Sequence, residues 1–448
     1  MVGMEDVQAA KRLKLGGEAE GEDPYVVPAE DVMRLTLVDR PEDVLAEREQ
    51  SEWFCPAFTH QVFGQDEVVR GYEDCEVLVY LHASTMHAFV KISLKGKQEG
   101  ADDIPHLLDE NLGLQYTCDP QEFAKRVKDT EQALRTALEG ARTGPAADCE
   151  IVSFKPWENA ALRELHDRLQ AMPLLYVDGA NYIDNTDPRW EIYLALRGGR
   201  VAGFATVYGF YAYPARKRLR LSQILVFPPH RRQGVASGIL GRIYEDASAR
   251  GALDLTVEDP SEEFQLLREG LDAKRLEEGG RGYYVGFVDE ALRKGKAMLD
   301  NGMRAETLLL PSKEVYKRAE TDLKIHRAQL RRVWEIVLLR RMRRSGGWEN
   351  AEDVVRQLVW VRLSNVVGEK KLEERSRGKE VVELNKGAEG AGGNFIMTRC
   401  GGGGGGGLLG GREWRKGKME EGEGRMEEME EMDAERVRER MRKVVVLG

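Results

Sequence analysis

The stretch Arg220–Ala236 constrains the fold more than any other part of this chain of 448 residues. Leu221–Phe227 is an apolar, β-branched run that predicts a buried strand. Two prolines end the run, because proline has no amide hydrogen to donate to a neighbouring strand. After a short basic loop, apolar residues recur at helical spacing from Val235 to about residue 250. A strand, a tight loop and a helix start present free backbone N–H groups, which bind anions.

The loop Arg231–Ala236 resembles the Gln/Arg-x-x-Gly-x-Gly/Ala loop of the Gcn5-related N-acetyltransferases. In that superfamily the loop holds the pyrophosphate of acetyl-CoA, and small residues such as Gly234 and Ala236 let the backbone approach the phosphates. An ordinary strand–helix turn is the alternative interpretation of so short a pattern. The resemblance implies a set of cofactor-binding residues: Ile224, Leu225, Val226, Arg231, Arg232, Gln233, Gly234, Val235, Ala236 and Glu263.

Composition limits the class of protein. The chain is long enough for two or three domains, and 42% hydrophobic residues can build real cores. A net charge of −10 argues against a general nucleic-acid binder and is compatible with a basic protein substrate. The five cysteines show no metal-ligand spacing, which predicts reduced thiols, no bound metal and an intracellular protein. No apolar run reaches membrane-spanning length.

The predicted elements indicate an α/β (α+β) chain, and their order resembles that of the Gcn5-related N-acetyltransferase fold, which the resemblance therefore implies. Between about 151 and 269 we expect a hairpin at Gly198-Gly199, then strand, helix, strand and a short helix. Leu330, Val333, Trp334, Val337 and Leu338 predict one apolar helix face, for which we prefer a packed bundle to a nucleic-acid patch. The predicted divisions are a disordered arm (1–30), a mixed α/β N-terminal domain (31–147), an acetyl-CoA-binding core (148–271), a helical domain (272–345) and a low-complexity, disordered tail (346–448).

A second resemblance covers roughly residues 31–345 and is narrower. Phe58–Glu67 is similar to the aromatic-x-Thr-His-Gln-x-Phe-Gly-Asp-Asp-Glu segment of the catalytic subunit of type B histone acetyltransferases. In that family the acidic triplet contacts the histone tail, and here the triplet is Gln65, Asp66 and Glu67, one carboxylate short. A solvated surface is the alternative interpretation of these two charges. For His60 we favour a hydrogen-bonded core histidine over a catalytic one.

The segment Leu255–Ser261 supplies two adjacent carboxylates, Glu258 and Asp259, at a strand end. Near pH 7 about one lysine in a thousand is a free amine, so acetyl transfer to lysine needs a group that takes the proton. The family's Thr-x-Glu-Asp-Pro-Ser motif places the general base on the glutamate, here Glu258, with Asp259 assisting. Helix capping is the alternative for this pair, and Asp259 could do both. Asp178 aligns with a further family carboxylate, a glutamate there, and is one methylene shorter.

Two further segments resemble family motifs that contact the substrate. Asn181–Trp190 is similar to the family's aromatic-Ile-Asp-x-x-Asp-x-Arg-Trp, and Thr206–Pro214 to its Thr-Val-Tyr-x-Tyr-Tyr-x-Tyr-Pro. The resemblance gives histone-tail contact to Trp190, Tyr208, Gly209 and Phe210. Aromatic walls suit the aliphatic stem of a lysine, although a core face is the alternative for some of these residues. Alternation along a strand sends Tyr208 and Phe210 to one side.

The predicted reaction is direct transfer within a ternary complex. The thioester oxygen gains negative charge in the transition state, and the strand Ile224–Val226 is the natural source of an N–H donor. None of the five cysteines is adjacent to a histidine base, which argues against a covalent acetyl-enzyme.

The resemblance implies a histone acetyltransferase that modifies N-terminal lysines of newly synthesised histone H4, together with H3 as part of the substrate. It also implies a WD-repeat histone-chaperone partner and a location in nucleus and cytoplasm, with Ala9–Leu15 as a nuclear import signal. Two alternatives stay open: a small-amine acetyltransferase of the same fold, and a non-catalytic histone-binding scaffold.

Overall fold

The computed structural model contains a six-stranded sheet with the order β12-β11-β10-β9-β8-β7. The structure describes residues 23–146, 148–300, 309–346, 348, 350–360, 362–363 and 439–443. The strands are β1 (Val26–Pro28), β2 (Met33–Val38), β3 (Val68–Arg70), β4 (Asp74–His82), β5 (Ala88–Lys95), β6 (Tyr116–Thr117), β7 (Arg142–Ala146), β8 (Cys149–Phe154), β9 (Trp190–Arg197), β10 (Arg200–Ala212), β11 (Arg216–Val226) and β12 (Leu255–Val257).

The α-helices up to residue 345 alternate with these strands and then follow them. They are α1 (Ala29–Val32), α2 (His60–Phe63), α3 (Ile104–His106), α4 (Pro120–Glu139), α5 (Ala160–Leu169), α6 (Ala171–Tyr176), α7 (Val235–Ala249), α8 (Glu262–Glu278), α9 (Tyr283–Asp300), α10 (Lys313–Leu323) and α11 (Arg327–Ser345). Two compact units result, with the division between Pro260 and Ser261. No helix in the described ranges is both long and apolar enough to cross a membrane.

The six-stranded sheet is antiparallel except where β12 pairs parallel to β11. Gly198 and Gly199 form the predicted two-glycine turn between β9 and β10, with φ of +58° and +79°. A turn with positive φ at both central residues matches the twist of the flanking strands, and glycine adopts it without strain. Helix α7 packs on this sheet through the predicted apolar positions Val235, Ile239, Leu240, Ile243 and Tyr244, all of which are buried.

The N-terminal part of the first unit is the expected mixed α/β structure, and it is more ordered at both ends than the sequence predicts. Its four-stranded sheet has the order β2-β4-β5-β6. The predicted disordered arm includes Val26–Pro28, which instead pairs with Val68–Arg70; residues 1–22, with the predicted import signal, lie outside the described residues. For residues 128–150 the sequence predicts a helix and a Gly/Pro-containing linker. The linker is wrong, because Arg142–Ala146 pairs with β8 as the edge of the six-stranded sheet.

The second unit is helical, as expected, and α11 is its central helix. We predict one apolar face, but residues 333–339 are all buried. This run includes Glu335, whose carboxylate receives two hydrogen bonds from Arg362, at 2.6 and 3.0 Å. Because the Glu335 charge is paired with Arg362, the polar side of the helix can also be buried. Helix α8 also extends nine residues beyond the predicted end at Glu269, to Glu278.

The prediction of a disordered tail from 346 is wrong for two segments. Residues 351–360 are helical, and Ala351, Val355, Leu358 and Val359 are buried with the spacing of one helix face. Residues 439–443 form a second helical segment, in which Met441 joins the same core. The glycine run and most of the Glu/Met/Arg-rich stretch lie outside the described residues.

A buried ion network holds the segment 439–443 to the second unit. The Arg440 side chain is 6% exposed and donates a hydrogen bond to the fully buried carboxylate of Glu269. It also donates to the Arg332 carbonyl at 3.1 Å and approaches Glu335 at 3.7 Å. Removing one member of such a pair leaves the other charge buried without compensation, which is strongly destabilising.

We therefore expect Arg440→Ala to lower the free energy of unfolding of the second unit by about 3 kcal/mol. Urea denaturation of the full chain measures this change. Arg442→Ala is the matched control, because Arg442 is exposed on the same short segment and its loss should leave stability within about 0.5 kcal/mol. Equal stability of the two variants would contradict the docking of this segment.

His166 is a fully buried histidine of α5, and its side chain faces β10. Its Nδ1 lies 2.7 Å from Asn185 Oδ1, which fixes the hydrogen on Nδ1, and its ring packs edge-on against Phe204. No partner for Nε2 is present in the described part of the chain. Burial lowers the pKa of His166 to about 4, because a proton on Nε2 would bury an uncompensated charge.

The unfolded chain therefore binds this proton first as the pH falls, and stability is lost between about pH 6.5 and 4. We expect the free energy of unfolding of the wild type to fall on going from pH 7.5 to 5, and His166→Gln to remove about 2 kcal/mol of that fall. Denaturant titrations at both pH values measure it. His106→Gln, at an exposed position, is the control; an unchanged pH dependence in His166→Gln would refute the assignment.

Candidate active site

The site is built where β11 loses its partner on one side. The pairing of β12 with β11 comprises Leu219, Arg220 and Leu221, and the Glu258 amide adds one hydrogen bond to the Leu221 carbonyl at 3.0 Å. On the other side, β11 pairs with β10 as far as Val226. From residue 222 onward, β12 no longer follows β11, so one edge of β11 is left open.

A β-bulge lies at this point. The register of β10 against β11 steps from Thr206–Gln223 to Val207–Leu221, so Ser222 is an extra residue without a partner on β10. Beyond it, the amides of Gln223 and Phe227 donate toward β10, to Thr206 Oγ1 at 3.1 Å and to the Ala202 carbonyl at 3.0 Å. Alternation then turns the N–H groups of Ile224 and Val226 to the open edge. Two predicted cofactor-binding residues thus present backbone donors there.

The predicted base lies at the same bulge. Ser222 donates a hydrogen bond from Oγ to Glu258 Oε2 at 2.7 Å. Glu258 and Asp259 are both exposed at the end of β12, and Asp259 has a positive φ of 29°. The bulge therefore directs a donor at the one carboxylate of the pair that the sequence analysis selects as base.

The capping alternative for this pair is wrong. Ser261 is the N-cap of α8, and its hydroxyl accepts from the Phe264 amide at 3.3 Å. The Asp259 carboxylate therefore does not have the double role that we considered. Glu263, predicted to bind cofactor, is exposed in the first turn of α8 in the second unit.

The predicted anion-binding loop leads directly into α7. Gly234 is the N-cap of this 15-residue helix with φ +81°, a conformation that glycine adopts without strain. Arg232, Gln233 and Gly234 are exposed, and Val235 is buried against the sheet while Ala236 is half-buried. The loop thus leaves the N-terminal amides of α7 accessible, as an anion site requires.

Arg231 has a different environment from the rest of the loop. Its Nε donates to the Val226 carbonyl at 3.1 Å, and its guanidinium lies 5.5 Å from the ring centre of Tyr176. Burial raises the pKa of the Tyr176 hydroxyl, so this ring stays neutral beside the cation. Arg231 therefore stiffens the end of β11, a role that the sequence pattern does not reveal.

Asp178 lies in a loop that hydrogen bonds hold from two sides. Gln61 on α2 donates to the Ala180 carbonyl at 2.9 Å, and Gln223 on β11 donates to the Asn181 carbonyl at 2.7 Å. The Asp178 carboxylate is 74% exposed and lies 3.6 Å from His60 Nε2. His60 is thus half-buried beside a carboxylate, so the structure differs from our expectation of a core histidine.

An aromatic surface lines the neighbouring strands. Trp190 and Tyr208 have ring centres 4.7 Å apart, and those of Tyr208 and Phe210 are 4.6 Å apart, so the latter two share a side as alternation predicts. Gly209 is buried between them and donates to the Arg189 carbonyl at 3.0 Å. Phe210 is 37% exposed.

Charged partners fix the orientation of these rings, and the sequence analysis missed them. Arg189 lies 4.9 Å from the ring centre of Tyr208, and Arg220 lies 4.7 Å from that of Phe210. Hydrogen bonds from Arg189 lower the pKa of Asp187 to about 2, so this carboxylate stays ionised at neutral pH. The Arg-Trp pair that ends the 181–190 motif could have indicated Arg189 as a partner of these rings. Nothing in the sequence pattern indicated Arg220.

The predicted tail-contacting triplet is divided by the fold. Gln65 and Asp66 are exposed, with Asp66 paired to Arg70 at 3.0 Å. The Glu67 carboxylate instead accepts from the amide and hydroxyl of Thr59, at 3.2 and 2.6 Å, which closes the loop after α2. Glu67 therefore has a structural role whether or not it meets a substrate. Among the described residues, no cluster of His, Cys, Asp or Glu is arranged to hold a metal.

Family models match both halves of the first unit. Residues 25–178 match the model described as the N-terminus of the histone acetyl transferase HAT1, and residues 153–264 match that of the acetyltransferase (GNAT) family. A solved aminoglycoside acetyltransferase from an uncultured soil metagenomic sample is 13% identical, with 25% of this chain and 79% of that one covered. Its TM-score of 0.22 is too low to support a conclusion.

Curated relatives match over a larger part of the chain, and each is called a histone acetyltransferase type B catalytic subunit. The Arabidopsis thaliana protein is 29% identical over 343 residues, with 70% of this chain and 71% of that one covered. The Cryptococcus neoformans protein is 27% identical over 307 residues, with 58% of this chain and 74% of that one covered. The Mus musculus protein is 26% identical over 336 residues, with 70% of this chain and 75% of that one covered.

Proposed function

The chain belongs to the family of type B histone acetyltransferase catalytic subunits, and we propose that it transfers acetyl from acetyl-CoA to N-terminal lysines of newly synthesised histone H4. It is an acetyltransferase, as the match to the GNAT family model and the names of its relatives indicate. The observation that carries the proposal is the placement of Glu258 against Ser222, beside the open edge of β11.

In this proposal Glu258 is the general base. Its carboxylate is exposed at the end of β12 and held by one hydrogen bond, so a second oxygen is left for the proton of the incoming ammonium. A positioned base of this kind contributes roughly 10²- to 10⁴-fold to a rate. Asp259 and Asp178 are secondary carboxylates, and the Asp178 loop is tied to β11 by Gln223, the residue after Ser222.

The open edge of β11 supports direct transfer. The amides of Ile224 and Val226 are the donors proposed for the acetyl-CoA chain and for the oxygen that gains charge in the transition state. The exposed loop Arg232–Gly234 and the first amides of α7 suit the pyrophosphate. No cysteine lies in β11, β12 or this loop, so we propose attack by the amine without an acetyl-enzyme.

The aromatic surface is the proposed path of the histone tail. Trp190, Tyr208 and Phe210 form a continuous row of rings that suits the stem of a lysine. The exposed carboxylate of Asp66 offers a charge partner for the basic tail. A bound small amine would not need this row, which favours a protein substrate.

The remaining parts of the proposal come from the family resemblance. They are a WD-repeat histone chaperone as partner, histone H3 in the substrate complex, and work in both cytoplasm and nucleus. The segment proposed for nuclear import, Ala9–Leu15, lies outside the described residues.

The first test is acetylation of a histone H4 tail peptide by the full chain, read by mass spectrometry. We expect site-selective acetylation by the wild type and a fall in kcat of about a hundredfold or more in Glu258→Gln. Asp259→Asn is the matched control, since it removes the neighbouring exposed carboxylate, and we expect it to retain most of the activity.

Three outcomes would contradict parts of the proposal. Full activity of Glu258→Gln would move the base to Asp178 or Asp259. Acetylation of small amines in preference to the peptide would favour the first alternative. Tight acetyl-CoA binding without turnover, with and without the WD-repeat partner, would favour a non-catalytic scaffold.

Ser222 should act through Glu258. We expect Ser222→Ala to lower kcat about tenfold, the equivalent of one lost hydrogen bond to a charged group, with little change in the KM for acetyl-CoA. Ser222→Thr keeps the hydroxyl and should restore most of the rate. In a double-mutant cycle, Ser222→Ala should cost nothing further in the Glu258→Gln background. Additive losses would show that Ser222 works independently of this carboxylate.

A further inference from the structure

A cavity of about 580 Å³ lies in the second unit, between the starts of α10 and α11. Lys313, Lys317, Arg327 and Arg331 line it, against the single carboxylate of Glu320. Apart from Glu263, the residues predicted to bind acetyl-CoA and the histone tail lie in the first unit, and nothing in the proposed reaction uses this second cavity. Its net positive charge is also of the wrong sign for a lysine-rich tail.

These two lysines of α10 and two arginines of α11 have no carboxylate partner among the described residues, unlike other arginines of α11. Arg332, Arg340 and Arg341 are each paired with a carboxylate, of Glu269, Glu277 and Asp289. By contrast, within the described ranges no carboxylate lies within ion-pair distance of Lys313, Lys317, Arg327 or Arg331, and the buried Nε of Arg331 has no acceptor. A buried donor without a partner is costly, and an acceptor supplied by a ligand would remove that cost.

The backbone adds to this positive potential. Helix α10 begins at Lys313 and α11 at Arg327, so the free N–H groups and positive dipole ends of two long helices meet at the cavity. His326, the N-cap of α11, accepts from the Ala328 amide through Nδ1 and so carries its hydrogen on Nε2. Arg327 stacks 4.8 Å from the ring centre of Tyr316, which holds its planar group in place.

We propose that this cavity binds the phosphate group of a phosphate monoester. Two guanidinium groups offer the paired donors that match phosphate oxygens, and two ammonium groups complete the neutralisation of a dianion. A carboxylate would leave most of this charge uncompensated. The volume lies in the range of small-molecule sites and exceeds that of bare phosphate, so the ester carries a further group, such as a small metabolite or a phosphorylated serine.

The test is isothermal titration calorimetry on the full chain, with saturating dephospho-coenzyme A, which has no phosphate monoester, to fill any pyrophosphate site in the first unit. The probes are glycerol 3-phosphate, as a small monoester, and a short phosphoserine peptide beside its unphosphorylated form. We expect saturable binding that weakens with salt. Lys317→Gln and Arg331→Gln should each weaken it about tenfold, which corresponds to 1.4 kcal/mol at 25 °C.

Lys274→Gln is the matched control, because Lys274 is an exposed cation of the same unit that pairs with Glu278. It should bind the probes like the wild type. Lys317 is exposed, so its variant tests the site even if Arg331→Gln disturbs folding. The probe that binds with the higher affinity identifies the source of the phosphate group. Binding of neither probe, or equal binding by Lys317→Gln and the wild type, would overturn the proposal. Acetylation of the H4 peptide is measured independently, so a failure of this proposal is distinguishable from a failure of the proposed function.

Discussion

The end of pairing between β11 and β12 is the constraint on which the candidate site depends. Because β12 follows β11 for three residues only, the amides beyond Leu221 keep one edge free for a ligand. The bulge at Ser222 reverses the alternation at the same point and aims its hydroxyl at Glu258. One local irregularity thus creates both the proposed acyl-donor edge and the position of the proposed base.

Hydrogen bonds from long side chains connect this point to the rest of the first unit. Gln223, next to the bulge, and Gln61, on α2, each donate to a carbonyl of the loop that carries Asp178. Arg231, in the loop predicted to bind an anion, donates a hydrogen bond to the last carbonyl of β11. The N-terminal segment therefore supports the core sheet directly, and the two family-model matches meet within one continuous hydrophobic core.

The second unit contains charged side chains in two different arrangements. Around Glu269 and Glu335, buried carboxylates are matched by Arg332, Arg362 and Arg440, a network that specifies which segments dock there. At the starts of α10 and α11, cations gather without carboxylate partners among the described residues. A group of four cations that surrounds a cavity without carboxylate partners in the described part of the chain is better explained by a ligand than by packing.

The sequence by itself determined the strand–loop–helix around Gly234, the hairpin at Gly198-Gly199, the shared face of Tyr208 and Phe210 and the carboxylate pair at 258–259. These features follow from local spacing, turn chemistry and alternation, which act over a few residues. Only the tertiary structure decided that Ser222 meets Glu258, that Thr59 engages Glu67, that 142–146 is a strand and that Arg440 fills an acidic core position. Such contacts join residues far apart in the chain, or replace a solvated charge by a paired one, and periodicity carries no information about either.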